Sequence, residues 1–198
     1  MIRYASDVAE GRGTMRADAQ RNRQRITEHA AVLLRASGTG VSMEQIAADA
    51  GVGIGTLYRH FPDKAALVDA IAALRIRRLA DDAVRSAGEQ ADGCSRVRTL
   101  LETYMASAAE DGALRAALRG NPTELGNEVR LAIEESEGPI GDLIAADHAE
   151  ELVRDDFSFA DFRAVCAALV SVMNPPAPAD AWRRVLTLVL SGLRPPVQ

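Results

Sequence analysis

Lysine is almost missing from this chain of 198 residues, whose 23 basic side chains include one lysine, Lys64. Cysteine is nearly as scarce. Cys94 and Cys166 stand far apart and form no C-x-x-C, which excludes a disulfide framework and a paired redox motif and fits a reducing compartment. Aromatic residues make up 4% of the chain, too few beyond Lys64 to build a cage for flat aromatic cations. No apolar run approaches the ~18 residues of a membrane span. The opening MIRYASDVAEGRGTM lacks the apolar core of a signal peptide. The expectation is a soluble, cytoplasmic protein with no membrane partner.

Signatures of catalysis and metal binding are missing too. His29, His60 and His148 form no H-x-x-x-H pair and have no cysteines at finger spacing, so no metal site is read. Gly51, Gly53 and Gly55 suit a nucleotide loop only superficially, because Thr56 stands where the third glycine of G-x-G-x-x-G belongs and no strand precedes it. There is no G-K-[ST] and no G-x-S-x-G. Glu134, Glu135 and Glu137 read as a solvated helix face. Neither a catalytic residue nor a cofactor is implied, and the chain is not read as an enzyme.

What is present is helical periodicity from end to end, with no convincing alternating strand. The expected fold class is all-α. Residues 1 to 15 read as a flexible arm. Arg16 to Arg35 carries Ile26, Ala30, Leu33 and Leu34 on one face, with Arg21, Arg23 and Arg25 near its start, where positive charge opposes the helix dipole and invites an anion. Gly38 and Gly40 end that helix. Ser42 and Gln45 have capping-box spacing, with Val41 and Ile46 at the staple positions. Pro62 suits the first turn of a helix running to about Gly88. Further helices are expected over Val97 to Ala108, Leu114 to Leu118, Glu124 to Glu137 and Ile140 to Leu152, the last two separated at Gly138-Pro139. Ser158 with Asp161 opens Phe159 to Met173, and Asp180 is placed to cap a last helix ending at Leu193.

Charge divides the chain. Ten basic and six acidic residues lie from Arg16 to Arg78, against eleven basic and twenty acidic from Leu79 to Gln198. A basic front on an acidic body suits a polyanion held by one end. Within Met43 to Phe61, Ile46, Ala50, Val52 and Leu57 are spaced to pack two helices together, Ala47 is small where they cross, and Gly51 suits the left-handed turn. That is the pattern of a helix-turn-helix whose second helix, about Ile54 to His60, enters a major groove.

Gln24 to Ile71 closely resembles the DNA-binding domain of TetR-family transcriptional regulators. Arg25-Ile26 and Ala30-Ala31 match the first helix, Ser42 to Ala47 the second and Ala50-Gly51-Val52 the turn. Gly55-Thr56-Leu57-Tyr58-Arg59-His60-Phe61 with Asp63-Lys64 matches the most recognisable segment. The resemblance covers about a quarter of the chain. It implies an N-terminal helix-turn-helix head (16-64), joined by a connecting helix (65-88) to a C-terminal helical domain (65-198) that binds a small-molecule effector and holds a homodimer on a double-stranded DNA operator. Effector binding would respace the heads and release the operator, so a repressor is implied. The alternative is an effector-independent activator or architectural DNA-binding protein.

By the same resemblance, base contacts fall on Gly53, Ile54, Gly55 and Thr56. Phosphate contacts fall on Ser42, Met43 (through its backbone), Tyr58, His60 and Lys64, and Arg59 reaches either. Gly53 and Ile54 depart from the family in carrying no long polar group, which shifts specificity toward Arg59, the arginines before Ile26, or DNA shape. In the body, Leu101, Tyr104, Met105, Phe162 and Cys166 are the candidate pocket residues. The last two helices are apolar around most of their girth. Leu169, Met173, Trp182, Val185, Leu186 and Val189 are therefore the candidate dimer contacts.

Overall fold

The computed structural model describes residues 18–34, 41–91, 93–119, 125–173, 178 and 180–195. Among these, all regular structure is helical. Residues 18–34 form α1. There follow α2 (Met43–Asp49), α3 (Ile54–His60), α4 (Lys64–Gly88), α5 (Arg96–Glu110), α6 (Gly112–Arg119), α7 (Asn127–Ala149), α8 (Phe159–Ser171) and α9 (Ala181–Gly192). The chain divides into two compact units, one ending at Ile71 and the other beginning at Ala72. The expected arm, the glycines 38 and 40 and the 120–122 break lie outside the described residues.

The first unit is built on a small core in which Ile26, Ile46, Leu57, Phe61 and Leu67 are fully buried, with Ala30, Ala47 and Ala50 filling the gaps. Small residues at the crossing let α2 and α3 approach closely. The turn between those helices is a Schellman closure: Gly51 N–H donates to Ala48 O (3.1 Å) and Val52 N–H to Ala47 O (2.9 Å). Gly51 takes φ +63°, where a Cβ would be strained. At the other end of α2, the Ser42 hydroxyl accepts from Gln45 N–H and the Gln45 side chain accepts from Ser42 N–H, completing the capping box.

The second unit packs α5, α7 and α8 around Leu100, Leu101, Met105, Ile140 and Leu169, all fully buried. Three details differ from the sequence reading. Pro62 lies outside α4, because Asp63 caps it by accepting from Ala66 N–H (2.8 Å) and Lys64 is its first residue. The helix expected to break at Gly138-Pro139 runs on as α7 with Pro139 inside. Proline removes the donor to the carbonyl four residues earlier, but Glu135, Gly138 and Pro139 are all exposed, so the lost bond falls on the solvent side while Ile140 and Ile144 anchor the inner face. Asp180 precedes α9 as expected, but its side chain makes no capping bond. Ser158 and Asp161 do form a capping box at α8. No helix among the described residues is long and apolar enough to cross a membrane.

Candidate nucleic-acid interface

Helix α3 buries a single residue, Leu57. Everything else on it is offered outward: Gly53, Ile54, Gly55, Tyr58 and Arg59 are exposed, and Thr56 and His60 are half-buried. Ile54 and Tyr58, at 40% and 45% exposure, are large side chains that the head leaves uncovered. A helix held by one leucine with its remaining girth open is shaped to enter a groove.

Two glycines sharpen this picture. A Cβ built on Gly53 or Gly55 would meet nothing within 4 Å, and neither has a positive φ. Sterically, the fold makes no demand for glycine at either place. Gly53 is the N-cap of α3, where glycine is itself favoured over alanine. Gly55 lies inside the helix, where glycine costs about 1 kcal/mol against alanine, so a requirement for glycine at 55 comes from outside the chain.

Arg59 supplies the long polar group that Gly53 and Ile54 lack. Its guanidinium lies back along α3, donating to Gly55 O (3.2 Å) and to the Thr56 hydroxyl (3.0 Å). Thr56 and Arg59 thus form one polar unit on the exposed face. Arg23, read from the sequence as part of a basic face, donates to His60 O (2.8 Å) and stacks its guanidinium 4.2 Å from the centre of the Phe61 ring. It braces the C-terminal end of α3 against α1. Arg21 bonds to Asp18 and Arg25 to Asn22. Nothing local in the sequence marks the Arg23 contact, since His60 is 37 residues away.

Lys64 has a similar long-range tie. Its ammonium donates to Val41 O (2.7 Å), the carbonyl just before the Ser42 cap. The first residue of α4 is thereby pinned beside the first turn of α2, where Ser42 is exposed and the Met43 side chain is buried in the head core. Met43 has only its backbone to offer. Burial, followed by the charges of Arg23 and Arg59, pushes the His60 imidazole below its ordinary value, so it is neutral near pH 7.

The body holds a cavity of about 350 Å³. Of the expected residues, Tyr104, Phe162 and Cys166 are on its wall. Leu101 and Met105 are not on that wall; both are fully buried in the surrounding core. The edge of the Tyr104 ring meets Phe162 at 5.1 Å between centroids. Sequence reasoning missed Arg119, Ser136 and Arg163, which supply polar groups to the same wall. Only the folded backbone gathers α6, α7 and α8 there. Among the candidate dimer contacts, Leu169, Trp182 and Leu186 are buried by the chain's own core, and Met173, Val185 and Val189 are half-buried; Leu188, outside that set, is 64% exposed. Among the described residues, no group of three His, Cys, Asp or Glu side chains is placed to hold a metal ion.

A single-leucine helix presented after a glycine turn, on a capped partner helix, defines a helix-turn-helix DNA-binding protein. Residues 26–71 match the family model for bacterial regulatory proteins of the TetR family, and residues 92–195 match the SbtR-like transcriptional regulator C-terminal domain. A TetR transcription regulatory protein from Mycobacterium vanbaalenii is 35% identical in sequence, with 91% of this chain and 99% of that one covered and a TM-score of 0.55. The regulator SCO0520 from Streptomyces coelicolor is 29% identical, with 88% and 99% covered and a TM-score of 0.58. An HTH-type transcriptional regulator of Staphylococcus aureus strain USA300 is 54% identical over 54 residues, 27% of this chain and 29% of that protein's length. The chain belongs to the TetR family of transcriptional regulators.

Proposed function

We propose that the chain is a dimeric repressor that binds a near-palindromic double-stranded DNA operator and leaves it when a small-molecule effector occupies the body cavity. The observation that carries the DNA half of this reading is the open face of α3, with Ile54, Tyr58 and the Thr56–Arg59 unit outward and a glycine at position 55 that the fold does not require. Gly53, Ile54, Gly55, Thr56 and Arg59 meet base edges. Ser42, the Met43 backbone, Tyr58, His60 and Lys64 hold phosphates, the Lys64 charge being set beside the start of α2 by its bond to Val41 O.

The effector half is supported by the cavity and by helix continuity, since α4 carries both Lys64 and the wall residue Ile76. The dimer is supported by the outer sides of the last two helices. Helix α9 leaves Leu188 exposed beside half-buried Val185 and Val189, and α8 keeps Val165 and its C-cap Val172 half-buried beside exposed Ala168. Apolar side chains that the chain's own core leaves partly uncovered on its last two helices suit a second copy.

Selection of genomic fragments that bind the purified protein, followed by mobility shifts at several salt concentrations, tests the reading. The selected fragments should carry an inverted repeat and bind two protomers. Lys64→Ala should weaken binding across sequences and reduce the salt slope by about one unit, with a thermal melt confirming that the head still folds. An unchanged slope would remove Lys64 from the phosphate contacts.

His60 adds a pH dependence of predictable sign. In the free head its neutral form is favoured, so its contribution to stability is full above 6.5 and declines as pH falls below that value until His60 itself charges. Next to a phosphate the charged form is favoured instead. Binding then takes up a proton, and operator affinity should rise between pH 7.5 and pH 6. His60→Gln should flatten that rise. Identical pH profiles for the two proteins would exclude a phosphate contact at His60.

A further inference from the structure

The region from Leu79 onward contains twenty acidic residues against eleven basic, yet none of the described residues lining the body cavity is Asp or Glu. Two arginines line it. Helix α6 ends in Arg119, which is exposed at the cavity, and α8 contributes the half-buried Arg163. Most other arginines of the body are committed: Arg75 to Asp111, Arg77 to Glu135, Arg96 to Asp147 and Glu150, and Arg130 to Glu134. Among the described residues, Arg119 and Arg163 have neither an ion pair nor a hydrogen bond.

The remaining polar groups of the wall are neutral. Burial pushes both the Tyr104 phenol and the Cys166 thiol well above their ordinary ranges, so neither supplies a negative charge. Arg163 and Cys166, three residues apart on α8, both line the cavity. The Tyr104 hydroxyl makes no hydrogen bond among the described residues, and Ser136 donates to Ile133 O, leaving its oxygen able to accept. Beyond these groups the wall is apolar, with Ile76, Leu118, Ile133, Phe159 and Phe162. Two arginines with no counter-ion among the described residues, on the wall of a mostly apolar cavity, select a ligand that combines a negative charge with an apolar body.

We propose that the cavity takes an amphipathic organic anion, one carboxylate on an apolar body, held at its charged end by Arg119 and Arg163 and offered a hydrogen bond by Tyr104. At ~30 Å³ per water-sized group, 350 Å³ accommodates roughly a dozen non-hydrogen atoms. This proposal names the ligand class for the effector site proposed above and rests on that reading.

The full-length protein is titrated calorimetrically, and its melting temperature followed, with sodium decanoate and sodium 2-naphthoate. Each is set against its uncharged counterpart, 1-decanol and 2-naphthol. At least one carboxylate should bind and raise the melting temperature while its neutral counterpart binds about tenfold or more weakly. Arg163→Gln and Arg119→Gln should erase that preference; both should fold, because neither side chain has a partner among the described residues. Neutral ligands that bind as well as the carboxylates, unaffected by either arginine variant, would overturn the anionic class and leave an effector cavity standing. No binding by any of the four would also overturn it. Carboxylate binding that depends on the arginines but does not release operator DNA in a mobility shift would uphold the anion site and count against effector-driven release.

Discussion

Asp147→Ala is expected to destabilise the body by about 3–5 kcal/mol, the range for removing one partner of a buried charge pair. Asp147 is fully buried on the last turn of α7. Its carboxylate accepts from the Ser95 hydroxyl (2.8 Å), Arg96 N–H (3.0 Å), the Arg96 guanidinium (3.1 Å) and Val97 N–H (2.9 Å). Two of these donors are orphan amides of the first turn of α5, so one carboxylate from α7 closes the start of α5 and faces the positive end of its dipole. Arg96 also reaches Glu150 (2.8 Å), extending the clasp. Alanine leaves all four donors without an acceptor. Asparagine keeps the shape but turns an acceptor into a donor, so Asp147→Asn should be destabilising as well. Ser95→Ala, which removes one cap hydroxyl, should cost only ~1 kcal/mol. Urea unfolding of the three variants checks the order. An Asp147→Ala protein no less stable than Ser95→Ala would mean that the clasp contributes nothing beyond an ordinary cap.

Gly55→Ala should move stability and DNA affinity in opposite directions. Position 55 lies within α3, its φ is ordinary, and an added methyl meets nothing within 4 Å. Alanine should therefore stabilise the head by up to about 1 kcal/mol through helix propensity alone. If the α3 backbone approaches DNA closely, the same methyl stands between them, and affinity should drop by about tenfold or more, equivalent to 1.4 kcal/mol. Denaturant melts paired with mobility shifts read both quantities on one sample. Affinity that stays level or improves while stability rises would show that α3 does not bring its backbone against the duplex at this position.

These two residues also mark what can be read from a linear chain. Gly51, the Ser42–Gln45 box and the Ser158–Asp161 box were all legible, because each partner lies within three or four positions and the geometry follows from that spacing. The bounds of α3 were legible as well, but not which of its two aliphatic residues is buried: Leu57 goes into the head core and Ile54 stays exposed. Asp147 was not legible. In sequence it is one of twenty acidic residues in the body, and its partners lie about 50 positions away. Lys64 was recognised as unusual, but its bond to Val41 O spans 23 residues and appears only on folding.

Pro139 failed in the opposite direction. A local rule called for a break, and the burial of Ile140 and Ile144 on the inner face of α7 outweighed one missing hydrogen bond on the wet side. The apolar character of α9 was read correctly, but whether Trp182 and Leu186 face a partner or the chain's own core is a property of packing, and the core takes them.

The sequence by itself determined the helical class and the helix-turn-helix, because these depend on periodicity, caps and turn residues that act over a few positions; the family followed from the resemblance carried by Gly55 to Phe61 with Asp63-Lys64. Tertiary structure alone decided which charges are partnered: Arg23 and Lys64 tied to backbone carbonyls, Asp147 closing α5, and Arg119 and Arg163 at the cavity with no counter-ion among the described residues. A charge interacts through space at a few ångströms, and distance along the chain says nothing about distance across the fold.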